Sequence, residues 1–280
     1  MRYQNKTSLH IVINNMQLIE FRPEGIYCSV GRFYIDPWRP VELALITHGH
    51  ADHARAGMTK YLCHHYTVPI LQSRIGADIR IQGVEYGESM TINNVHVSFH
   101  PAGHIIGSAQ IRMEYKGKVV VVSGDYKLQE DGLSTPFELV RCHEFVSEST
   151  FGLPIYQWDT VTRQNRALAE WVTLNKSNKR TSVFVGYSLG KAQRIMKAVD
   201  GLAQIHVHNS IDKLNRAYSK AGVALPDHQP KVFAGTPQIS GHVHPGVRVK
   251  LSVNKWHHFP AFLVGDDHLI FTCFFPLYGA

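Results

Sequence analysis

The chain has 280 residues, 44% hydrophobic and 18% charged. That is a globular composition with a substantial core, and it excludes disordered and fibrous classes. Lys plus Arg outnumber Asp plus Glu by 29 to 22, which favours a polyanionic partner, and eighteen histidines invite a search for metal-ligand clusters.

In chain order, residues 9–13, 17–21, 33–35, 43–47, 95–99, 109–115 and 119–123 are apolar or alternating runs punctuated by Gly, Pro and Asn, and they predict short strands. Short helices are predicted at 51–57 and 70–77. From about residue 150 the pattern changes. Helices are predicted at 163–178, 190–200 and 210–221, with strands at 181–186 and 205–208, an alternation that implies parallel βαβ units. The expectation is α/β: a β-rich layered domain over 1–150, a smaller α/β domain over 151–235, and a tail over 236–280 that fits neither pattern. No apolar run nears the roughly 18 residues of a membrane span. The opening residues lead into no signal-peptide core, and the four cysteines are scattered. A cytoplasmic protein without membrane contact is therefore expected.

The segment Thr47-His48-Gly49-His50-Ala51-Asp52-His53 places four metal-capable side chains within six positions, directly after a predicted strand. His48 and His50 project to one side of extended backbone. Asp52 and His53 follow where the chain turns, so the segment can feed two adjacent ions. His104 follows the strand at 95–99, and Asp125 follows the strand at 119–123. Imidazole and carboxylate without thiolate suit Zn, Mn or Fe. Further on, Gly186-Tyr187-Ser188-Leu189-Gly190-Lys191-Ala192-Gln193-Arg194 links a strand to a helix. A helix N-terminus of this kind is an anion site, with Ser188, Gly190, Lys191 and Arg194 as candidate phosphate-binding residues.

Asp36, the HxHxDH run, His104 and Asp125 resemble the successive motifs of the metallo-β-lactamase fold. The resemblance implies an αββα sandwich with the metals at one edge and Asp36 as an outer aspartate holding the ligand loop. Ser147-Glu148-Ser149-Thr150-Phe151-Gly152 resembles the acidic motif that opens the β-CASP nucleic-acid-processing branch, whose α/β cap domain would be residues 151–235. His208 matches the branch's histidine motif. His206 shares its face, and the choice between them rests on the resemblance. Segments 33–40, 102–108, 122–127, 148–153, 187–194 and 221–226 are similar to bacterial ligase-associated DNA exonucleases, also described as messenger-RNA 3′-end-processing-factor-like. The similarity runs over about residues 9–235.

What this resemblance implies is a nuclease with two divalent ions (Zn or Mn), hydrolysing single-stranded DNA from an end in DNA repair. An ATP-dependent DNA ligase and a helicase would be its partners. His48, His50, His104 and Asp125 would hold one ion, and Asp52, His53 and Asp125 the other. Asp52, Glu148 and His208 would serve the chemistry. The family's later Asp-His-Ala-Asp motif is not found. Asp266-Asp267-His268 is the nearest string, so the tail reads as an altered or truncated return to the first domain, with His242, His244, His257, His258 and His268 as substitute ligands. Three readings compete with DNA cleavage: RNA processing by the same centre, a small-molecule thioester hydrolase, and an impaired nucleic-acid-binding protein.

Overall fold

The computed structural model describes residues 17–150, 155 and 157–231, and the backbone of Gly246–Ser252, Lys255–Pro260 and Leu269–Cys273. The expected strand at 9–13 lies outside the described residues, as do His242, His244, Asp266, Asp267 and His268.

Two stacked sheets form the first domain. The first runs β1 (Ile19–Arg22), β2 (Gly25–Cys28), β3 (Phe33–Ile35), β4 (Leu43–Ile46), β5 (Lys60–His64), β6 (Ile81–Val84), antiparallel up to β3 and parallel from there. The second runs β11 (Glu144–Val146), β10 (Lys118–Val122), β9 (Ala109–Tyr115), β8 (Val95–Pro101), β7 (Ser89–Ile92). Period-two alternation sorts their side chains. Leu45 and Leu62 face inward against Phe99, Ile111, Met113 and Val120 of the second sheet. Their neighbours Ala44, Ile46, Tyr61 and Cys63 face outward, where Leu71 of α1 (Val68–Arg74) covers them. At one edge the Ala109 N–H donates to the Thr47 carbonyl at 2.8 Å, stitching the sheets together where β4 ends.

The later segment builds a third, parallel sheet in the order β12 (Ser182–Gly186), β17 (Leu269–Cys273), β13 (Ile205–Val207), β14 (Gln229–Pro230). Helices α2 (Val161–Ser177), α3 (Lys191–Ala198) and α4 (Asn209–Lys220) alternate with it, around a core of Val172, Phe184, Met196, Val207 and Ile211. The tail strand β17 thus inserts into this sheet, while β15 (Gly246–Ser252) and β16 (Lys255–Pro260) pair only with each other among the described strands. A separate apolar cluster joins the two units: Ile70, Ile105 and Ile106 of the sandwich meet Leu189, Leu214, Ala217 and Tyr218.

One expectation is corrected. Residues 51–57 form turns and bends rather than a helix. A single helical turn closes between the Ala54 N–H and the His50 carbonyl, but the His53 ring is tied sideways to Asp36, so the chain cannot wind on.

Candidate metal centre

Each expected ligand, and the outer Asp36 with them, sits on a loop leaving the same edge of the sandwich. Asp36 follows β3, His48 to His53 follow β4, His104 follows β8 and Asp125 follows β10. Gly124 lets the last loop close. Its φ is +56°, and a Cβ there would lie 2.4 Å from Thr47 Oγ1, so a larger residue would push Asp125 away from the β4 loop.

The structure brings His48, His50, His104 and Asp125 together, with one donor atom from each within 4.8 Å of the others. His48 Nε2 lies 2.9 Å from His50 Nδ1, and His104 Nε2 lies 3.2 Å from the same atom. Asp125 Oδ2 is 3.8 Å from His48 Nε2 and 3.6 Å from His104 Nε2, while its Oδ1 is 3.2 Å from His53 Nε2. The two oxygens of Asp125 therefore face two different histidine groups. Asp52 Oδ2 stands 3.9 Å from His53 Nε2 on the exposed side.

The partners of the other ring nitrogens fix the tautomers. A carbonyl only accepts, so His50 Nε2 donates to Leu189 O at 3.1 Å, leaving a lone pair on Nδ1. Thr47 Oγ1 donates to Asp36 Oδ2 at 2.5 Å and so accepts from His48 Nδ1 at 3.1 Å, leaving a lone pair on Nε2. Two lone pairs then face each other at 2.9 Å, an arrangement that a cation between them relieves. Nitrogens about 2.05 Å from a tetrahedral zinc stand roughly 3.3 Å apart, close to what is seen. The donor set fits a borderline divalent ion.

The electrostatics agree. Burial, reinforced by the neighbouring imidazoles, holds His48 well below the usual histidine range, and burial lowers His50 as well. Burial also takes His104 down to about 4. All three rings are thus shifted toward the neutral form, which keeps a lone pair for a cation. Burial pushes His53 down too, but Asp36 and Asp125 outweigh it and hold the ring at about 11. For Asp125, burial is outweighed by the hydrogen bond and charge of His53, and its pKa falls. With no ion bound, the His53 imidazolium supplies the positive charge beside Asp125, and an ion taken up there would displace its proton.

Asp36, expected as an outer aspartate, contacts Thr47 and His53. Its Oδ1 accepts the Thr47 amide at 2.8 Å and its Oδ2 accepts His53 Nδ1 at 2.7 Å, from a backbone φ of +43°. Two residues that the sequence did not single out complete the frame. Thr47 orients His48, and the Arg74 guanidinium donates to the Gly49 carbonyl from the last turn of α1. Their signals were weak, a threonine at a strand end and one arginine among many.

The Ser188–Arg194 turn packs directly on the centre. Gly190 has φ +89°, and a Cβ there would lie 2.4 Å from Ile105 and 3.8 Å from His50 Nε2. Its N–H is not a free anion donor, because Gln193 Oε1 accepts it at 2.7 Å. Buried Gln193, a residue the sequence reading passed over, also donates to Ser188 O and Asn215 Oδ1. Ser188 is buried, Lys191 is exposed beside Tyr187, and Arg194 donates to Gln164 Oε1. Glu148 accepts the Thr150 amide at 2.7 Å. His208 caps α4 through Nδ1; it ends β13 on the same edge of the parallel sheet from which the turn after β12 leaves.

No family model matches the chain. It is 28% identical over 223 residues to a "Probable DNA ligase" of Opitutus terrae, covering 78% of this chain and 21% of that protein. It is 24% identical over 185 residues to an "RNase J-like protein" of Methanocaldococcus jannaschii, covering 58% and 44%. It is 24% identical over 196 residues to "Cleavage and polyadenylation specificity factor subunit 3" of Dictyostelium discoideum, covering 57% and 25%. The chain thus spans between about a fifth and under a half of these relatives. Among the described residues, no helix is long and apolar enough to cross a membrane. Stacked sheets, candidate ligand loops at one edge and an α/β unit packed over them make the metallo-β-lactamase/β-CASP fold, and the chain is similar to these relatives across it.

Proposed function

We propose that the protein is a metal-dependent nuclease that hydrolyses phosphodiester bonds. The reading rests above all on Asp125, whose two oxygens face separate histidine groups, as a carboxylate shared by two adjacent ions would. Ions so held act as Lewis acids and lower the pKa of water. His48, His50, His104 and Asp125 would hold the first, and Asp52, His53 and Asp125 the second. Asp52, the exposed member, leaves that side accessible to a substrate phosphate. Glu148 and His208 are assigned supporting roles, ordering the loop beside the centre and steadying a phosphate oxygen. Exposed Tyr187 with Lys191 above its ring offers a base-stacking surface next to a phosphate contact, and Arg194 adds charge. In this reading residues 1–150 carry the metals, 151–235 form the cap and 236–280 are an atypical tail.

DNA as substrate draws support from the relative named a probable DNA ligase, while attack from an end and work beside an ATP-dependent ligase and a helicase in repair follow the resemblance to ligase-associated exonucleases. The RNase J-like and polyadenylation-factor relatives favour RNA as the second reading. The test is cleavage of end-labelled single-stranded DNA and RNA with Mn²⁺ or Zn²⁺, beside a thioester and a β-lactam substrate. Metal-dependent cleavage of either nucleic acid supports the proposal. Turnover of the small molecules alone, or nucleic-acid binding without cleavage at any metal loading, overturns it.

A further inference from the structure

We infer that His64, His65 and Glu85 form a separate binding site for one borderline divalent cation such as Ni²⁺ or Zn²⁺. One donor atom from each of the three lies within 4.8 Å of the others. The fold brings them together because β5 and β6 run parallel with His64 opposite Val84. Glu85 therefore leaves the sheet beside the His64-His65 pair. None of the three belongs to the centre of His48 and Asp125, or to the elements that hold it.

The present contacts leave these groups unsatisfied. His64 is 1% exposed and, among the described residues, its Nε2 has no hydrogen-bond partner. His65 Nδ1 lies 3.0 Å from Glu85 Oε2, but among the described residues it makes no aligned hydrogen bond. A nitrogen and an oxygen each about 2.1 Å from one ion, and 3.0 Å from each other, subtend roughly 90°, the cis angle of an octahedral site. The ring of His64 is stacked on Tyr86, with centroids 3.6 Å apart and planes 16° apart, so it is held ready rather than free to swing. Its Nδ1 accepts a long 3.3 Å bond from the Tyr66 amide, so the ring's one lone pair lies on Nδ1 and the proton on Nε2; an ion at Nε2 would move that proton to Nδ1 and give up the weak bond. Burial and the adjacent His65 keep His64 neutral, with a pKa of about 3, so a lone pair is available across the physiological range. Glu85, the exposed member, gives an ion its way in and the carboxylate that offsets its charge.

Two imidazoles and one carboxylate from a rigid strand edge make a clip between β5 and β6, with the remaining positions left to water. The experiment uses untagged, chelator-stripped full chain dialysed against Ni²⁺ or Zn²⁺, with bound metal counted per chain by mass spectrometry. The wild type should bind one equivalent more than Glu85→Gln and one more than His65→Ala. Both variants should keep the wild-type circular dichroism spectrum and metal-dependent turnover. Equal stoichiometry in the wild type and the well-folded Glu85→Gln overturns the inference. The count is a difference between proteins that share the first centre, so it stands whether or not that centre cleaves nucleic acid.

Discussion

His50 Nε2 lies 3.1 Å from the carbonyl oxygen of Leu189, a residue 139 positions further along the chain. A ligand at the mouth of the sandwich is thus oriented by the backbone of the cap. The contact depends on Gly190, whose missing side chain lets the turn approach Ile105. Gly190→Ala should lift Leu189 away from His50 and lower metal affinity about 10–100-fold, the usual effect of losing a partner of a metal-bound histidine. Isothermal titration with Zn²⁺ reads the change. Unaltered affinity would mean that the cap does not tune the ligand.

Asp52→Ala combined with His53→Ala removes the exposed pair of donors while leaving His48, His50 and His104 in place. Cleavage should be abolished, and binding of single-stranded nucleic acid, measured by fluorescence anisotropy in low salt, should stay within about threefold. Unchanged turnover in metal-replete buffer would refute the second-ion assignment.

Thr47→Val keeps the shape of a 1% exposed side chain and deletes the hydroxyl between Asp36 and His48. The His48 ring then loses the acceptor that fixes its tautomer. Metal affinity should fall about 10-fold or more. Thr47→Ser should restore it, which separates orientation from packing.

Asp131 gives a pH signature away from the metals. Burial tends to raise its pKa, but the Lys127 ammonium and the Ser134 and Leu133 amides outweigh burial and bring it below the ordinary carboxylate value. Depressed in the folded state, the group contributes stability that is present above about pH 4 and lost as pH falls through the lower, folded value. Asp131→Asn should cost about 2 kcal/mol at pH 7, and the gap from wild type should narrow by pH 3. Urea titrations at the two pH values check both parts.

Much of the centre was legible because metal chemistry concentrates its residue types. His48, His50, Asp52 and His53 stand within six positions, and His104 and Asp125 each end a strand that the apolar pattern marks. The strands Phe33–Ile35 and Ala109–Tyr115 emerge with their expected bounds. What stayed hidden depends on contacts distant in sequence or on backbone atoms. The Leu189 carbonyl carries no residue-type signal at all. The short strands β2, β5, β6 and β7 are stabilised by their neighbours rather than by their own pattern, and Ile81–Val84 even contains a glycine. Residues 51–57 have helical composition, but Asp36 pulls His53 out of the winding.

The joint between the sandwich and the cap is made of Ile70, Ile105 and Ile106 against Leu189, Leu214, Ala217 and Tyr218. Such a seam is oily and dry, so ions in solution have little grip on it. Raising ionic strength should strip a polyanion from the surface while the two halves stay clamped. A captured strand would thus be released without the molecule coming apart.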